Sequence, residues 1–132
     1  MVVLAFNHGA KGIMSWTFPT SEPLEQAHSE IAKATAVSPV SSFLIGARPI
    51  RLSVPGHELL DVAYWVVGNQ VLVGVVNLDY VAQNSTVAIN LPCRVSGLVS
   101  QPWGSMAWTV GNGTLSTNSL SGLDTSFVLL SS

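Results

Sequence analysis

A chain of 132 residues is one domain's worth of material, enough to enclose a core, and with 48% apolar and 9% charged residues it is far from a disordered composition. Its surface must be clothed in Ser, Thr, Asn and Gly, the style of many secreted β-proteins. The net charge of −2 and the scattered cations Lys11, Lys33, Arg48, Arg51 and Arg94 leave no basic stripe for nucleic acid, and no apolar run reaches the roughly 18 residues of a membrane span.

The first expected element is a helix over residues 2–7, with His8 near its end and Gly9 placed for a left-handed cap. A short apolar strand follows over residues 12–18. Pro19 stops it, and Thr20 or Ser21 starts a second helix whose first turn carries Glu22 and Glu25, where carboxylates suit the positive end of the dipole. Leu24, Ala27, Ile31 and Ala34 recur at helical spacing as one buried stripe, with Glu30 and Lys33 away from it, and Pro39 ends the helix.

From Ile50 the hydrophobic period becomes that of strands. Residues 59–67 and 70–78 read as two arms joined by Gly68-Asn69, a turn with positive-φ chemistry, and so as an antiparallel hairpin. Ala63, Trp65 and Val67 alternate against Val62, Tyr64 and Val66. Both faces are apolar, which predicts a central hairpin with Trp65 in the core. Further strands are expected over 85–91, 97–100, 106–110, 114–119 and 125–130, with Gly111-Asn112-Gly113 as a turn and Pro92 and Pro102 as breaks. The pattern predicts a mainly β chain: an antiparallel β-sandwich over residues 47–132, preceded over residues 1–46 by a helix-strand-helix unit packed against it.

Cys93 is the one cysteine, so no intrachain disulfide and no cysteine-based metal site forms, and a buried thiol acting as a small hydrophobe is expected. His8, His28 and His57 lack the spacing of a metal site and are given structural or solvent roles, so neither metal nor cofactor is expected. No G-x-S-x-G occurs. Asn84-Ser85-Thr86 and Asn112-Gly113-Thr114 would accept N-glycans if the chain enters a secretory pathway. The N-terminus has no basic n-region or cleavage site, so an export signal, if any, lay upstream or was removed.

Taken together, the runs LAFNHGAKGIMSWTFP, DVAYWVVGNQVLVGVVNLDY, SQPWGS and GLDTSFVLL resemble the C-terminal third of fungal secreted glycoside hydrolases, in which a (β/α)-barrel catalytic domain is followed by a β-sandwich. The resemblance spans nearly the whole chain. It implies that residues 1–46 are the last barrel unit, and that Trp16 is the aromatic which in such enzymes ends the eighth strand and stacks on the sugar. The family's two catalytic carboxylates stand at the ends of the fourth and seventh strands, and nothing here matches them. A whole barrel takes about 250 residues and is excluded. The resemblance therefore implies a secreted, non-catalytic, carbohydrate-associated chain, a scaffold or weak glycan binder that is not an enzyme on its own. Two alternatives stand beside it: a stand-alone lectin-like or bioactive secreted fungal protein, and part of an active hydrolase completed by a missing catalytic chain.

A glycosidase needs two carboxyl groups facing each other across the scissile bond. Glu22 and Glu25 would point the same way from one helix and are better read as first-turn charges. Asp61 and Asp79 would approach across the hairpin ladder, but a strand-end or turn hydrogen bond explains each as well, so no catalytic residue is assigned. Exposed aromatics can stack on the apolar face of a sugar, and core filling is the competing role. Trp65 is assigned to the core. Trp103, in Gln101-Pro102-Trp103-Gly104, stays balanced between the two roles. Trp16, Trp103, Trp108 and Tyr80 are the candidate carbohydrate contacts. Finally, a barrel strand without its neighbours is a template for pairing, so a homo-oligomer through residues 1–46 is expected.

Overall fold

The computed structural model describes residues 1–14 and 21–132. Among these residues three helices, α1 (Val2–Asn7), α2 (Glu22–Thr35) and α3 (Val40–Gly46), precede eight strands: β1 (Ile50–Leu52), β2 (Leu60–Val67), β3 (Gln70–Asn77), β4 (Val87–Asn90), β5 (Gly97–Trp103), β6 (Thr109–Gly111), β7 (Thr114–Thr117) and β8 (Thr125–Ser131). The protein is mainly β, with antiparallel pairing throughout.

The hairpin read from Gly68-Asn69 organises the larger sheet. Val67 stands opposite Gln70, so the loop has two residues, and Gly68 takes φ +59, the sign that the first position of a primed hairpin turn requires. Pairing of β8 to the far side of β3 makes the order β1-β2-β3-β8-β5, with the hairpin inside it. A second sheet has the order β4-β7-β6, its β6–β7 turn closed by Asn112 and Gly113 at φ +52 and +78.

Strand alternation divides the core in two. Val62, Tyr64, Val73 and Val128 point from the larger sheet to Ile89 and Leu115 of the smaller one and to Trp108, just before β6. Their neighbours Ala63, Trp65, Leu72 and Phe127 point the other way, onto Val3 and Phe6 of α1 and Phe43 and Leu44 of α3. Trp65 meets Phe127 edge-on with centroids 6.1 Å apart, and is 1% exposed. The result is three layers: helices, a five-stranded sheet, and a three-stranded sheet.

Several sequence expectations need adjustment. Only the start of the expected strand over residues 12–18 is described, and Gly12 to Met14 enter no sheet; Trp16 lies outside the described residues. The buried stripe of α2 narrows to Ile31, and Leu24 is half exposed, because the helix is only partly covered by the elements beside it. Helix α3 has no counterpart in the sequence reading. Pro102 does not break a strand but sits in β5, whose register with β8 shifts between Leu98 and Ser100 and again before Trp103. An edge strand tolerates this, since a missing N–H there costs no ladder bond. Cys93 is partly rather than fully buried against the inter-sheet core, and that burial pushes its thiol pKa up.

Candidate functional site

Where β5 ends and β8 begins, their side chains face α2 across a cleft of about 520 Å³. Trp103 pairs with Phe127 in register, which sets its ring on the helix-facing side of the sheet. Its Nε1 donates to Thr125 Oγ1 at 2.9 Å, fixing the ring while leaving it part-exposed. Gln101, Ser105, Asp124 and, from α2, Glu30 and Lys33 complete the walls.

Gly104 lets the chain pass close to this wall. It takes φ +112, and a Cβ there would stand 2.5 Å from Ser126 Oγ and 3.0 Å from Gln101 Nε2. Only glycine fits that approach. Among the described residues Ser126 Oγ and Asp124 Oδ2 are buried without a hydrogen-bond partner, and burial raises the Asp124 carboxyl, offset in part by the Thr125 N–H. Chemically the cleft offers an aromatic face beside amide, hydroxyl and carboxylate groups, the mixture that polyhydroxylated ligands use.

The other candidates are dispersed. Trp108 is 4% exposed in the inter-sheet core, so it lacks the free face that stacking needs; its burial follows from β6 lying over the larger sheet. Tyr80 is 85% exposed on the loop after β3 and is not among the residues that line the Trp103 cleft. Glu22 and Glu25 occupy the exposed first turn of α2. Asp79 accepts the Val81 N–H at 3.0 Å in a local turn, while Asp61 takes other partners.

Those partners form a second polar cluster that sequence reasoning missed. Asp61 on β2 is buried, with Oδ2 lying 2.7 Å from His8 Nε2 and accepting from Arg51 at 2.8 Å, while Oδ1 accepts Asn7 Nδ2 at 2.9 Å. Burial alone would raise its pKa. Hydrogen bonds from Asn7 and His8 and the charges of His8 and Arg51 outweigh burial and hold it below the usual value. A buried acid inside an apolar strand was the available signal; its partners, up to 54 residues away, were not. The cluster joins the end of α1 to β1 and β2. No group of three or more His, Cys, Asp or Glu able to hold a metal occurs among the described residues. Among them too, no helix is long and apolar enough to cross a membrane.

No family model and no curated protein matches this chain. Among solved structures it is similar to an Anoxybacillus α-amylase described in terms of a new glycosyl hydrolase subclass, with TM-score 0.66 and 12% identity. That match covers 87% of this chain and 24% of the amylase. Looser similarities are to an α-amylase from H. orenii (TM-score 0.44, 10% identity, 67% of this chain and 17% of that one) and to isomaltulose synthase from Klebsiella sp. LX3 (0.39, 19%, 66% and 14%). The chain thus spans about a quarter of the length of the first. What the first likeness shows is the fold: that of the C-terminal β domain of an α-amylase-type glycoside hydrolase.

Proposed function

We propose that this chain is a carbohydrate-associated module of a glycoside hydrolase, of the secreted fungal type its sequence resembles, and that it contacts glycan through the Trp103 cleft without cleaving it. The observation that carries this reading is the part-exposed Trp103 ring, pinned through its indole N–H and walled by polar side chains. A fixed aromatic loses little entropy on binding, and its flat face matches the apolar face of a pyranose. Cleavage is disfavoured by the state of the carboxyls in the cleft. Asp124 has its Oδ2 buried in the wall, and Glu30 is an exposed helix residue already bonded by Gln26 at 3.3 Å.

A second reading, part of an active hydrolase completed by a catalytic region elsewhere, is favoured by the correspondence of this fold to 24% of a longer amylase chain. One experiment addresses both. Titration calorimetry against soluble oligosaccharides, with aryl glycosides as substrates in parallel, should give binding that Trp103→Ala weakens by about tenfold or more, and no turnover. Binding unchanged in Trp103→Ala removes the cleft. Turnover lost in Glu30→Gln with Asp124→Asn would make this a catalytic site.

A further inference from the structure

We propose that Asn84 and Asn112 carry N-linked glycans that guard the two open edges of the smaller sheet. In the order β4-β7-β6 the middle strand is paired on both sides, and among the described residues each outer strand pairs with β7 alone. Unpaired strand edges are templates for another chain, and proteins blunt them with short strands, proline, charge or bulges. The larger sheet uses these devices: β1 has three residues, and β5 carries Pro102 and two register shifts. The smaller sheet lacks most of them. β4 and β6 are short, with four and three residues, but neither Val87–Asn90 nor Thr109–Gly111 contains a proline or a charge.

Each of these edges has an acceptor asparagine at its end. Asn84 stands three residues ahead of β4, and Asn112 directly follows β6. Both are exposed. The turn itself selects Asn112: its φ of +52 belongs to the left-handed region, which asparagine tolerates, and the side chain is presented at the tip of the hairpin. With hydroxyl-bearing Thr86 and Thr114 two residues on, both triplets have the acceptor pattern.

The reaction joins the asparagine amide nitrogen to the anomeric carbon of a lipid-diphosphate-linked oligosaccharide. The diphosphate leaves with the lipid, and the amide nitrogen loses one proton. In the folded protein Thr114 Oγ1 donates to Asn90 Oδ1 at 2.9 Å, and Gly113 O accepts the Leu91 N–H at 3.0 Å. The second triplet is thus held in the β4–β7 pairing, and transfer belongs to the chain before that pairing closes. A glycan at each end then projects beside an edge and excludes an incoming strand by bulk and hydration.

The test expresses the full chain behind a cleavable secretion signal in yeast and measures intact mass before and after peptide N-glycosidase, with peptide mapping. Two glycans are expected, and Asn84→Gln and Asn112→Gln should each remove one. The double variant should keep the wild-type circular dichroism spectrum and scatter several-fold more light at equal concentration, through assemblies larger than those of the wild type. Secreted wild-type protein of unmodified mass overturns the proposal, and a single glycan overturns it for the bare position. Two glycans whose loss leaves assembly unchanged overturn the guarding role.

Discussion

At the scale of single residues, the same residue type takes opposite roles according to what surrounds it. Trp65 and Trp108 fill the two halves of the core, whereas Trp103 stands at a cleft. Trp65→Ala should cost about 3 to 5 kcal/mol, the range for deleting a buried large aromatic, and a urea melt measures it. Unchanged stability would contradict its packing against Phe127. Carboxylates divide likewise. Asp61 is held below 3.8 by its bonds to Asn7 and His8 and the charges of His8 and Arg51, despite burial. The unfolded chain therefore binds this proton more readily than the folded one, so its contribution is present above about pH 3.8 and is lost as pH falls through the lower folded value. Asp61→Asn should lose about 1 to 3 kcal/mol at neutral pH, since His8 and Arg51 are half exposed and can return to water. Thermal melts between about pH 2 and 5 should fall less steeply in that variant than in the wild type. Equal slopes would mean that Asp61 does not carry the acid response.

At the scale of elements, the join between helix and sheet depends on a missing side chain. Ala63, Gly74 and Phe127 lie side by side across β2, β3 and β8, and the glycine leaves a notch that the fully buried Asn7 of α1 enters. Asn7 donates there to Gly74 O at 3.1 Å. A Cβ at position 74 would collide with Asn7 Oδ1. Gly74→Ala should thus cost about 1 to 3 kcal/mol by overpacking and should free α1, raising amide exchange over residues 2–7 while the β6–β7 hairpin stays protected. Exchange unchanged in α1 would show that the notch is dispensable. This join also marks where sequence reading stops. The β2–β3 hairpin was legible because a period of two and a glycine turn are local signals, and the Gly9 cap because a left-handed φ, here +94, selects glycine. Local patterns could not reveal that α2 would present little more than Ile31 to the interior, that α3 would form between Pro39 and Ala47, or that Asn7, His8 and Arg51 would meet Asp61. Those outcomes are set by which surfaces meet. Of the site, Trp103 was visible as a tryptophan in a glycine-proline turn sequence; Asp124, Ser126 and the α2 wall became neighbours only through the strand order.

At the scale of the whole molecule, the two outer layers are unlike. The smaller sheet turns Ala88, Asn90 and Thr109 outward, small or polar side chains that offer little apolar area to a partner. On the helical layer, Val2, Phe6, Ile31, Leu44 and Ile45 line a groove of about 510 Å³, with Ile13 beside them. Ile45 is 69% exposed, Met14 is 91% exposed, and both belong to the residue 1–46 unit. Grouped apolar side chains of this kind favour association, because the area they expose is recovered from water when two copies meet. Self-association is therefore expected through the helical layer rather than through the β4 or β6 edge, with a dimer as the simplest closed form. Light scattering at micromolar concentration should report a mass well above the 13.9 kDa of one chain. Ile45→Glu should shift it toward the monomer without changing the circular dichroism spectrum, since the side chain lies at the surface. A strictly monomeric wild type, or an assembly indifferent to Ile45→Glu, would leave the groove without a role in self-association.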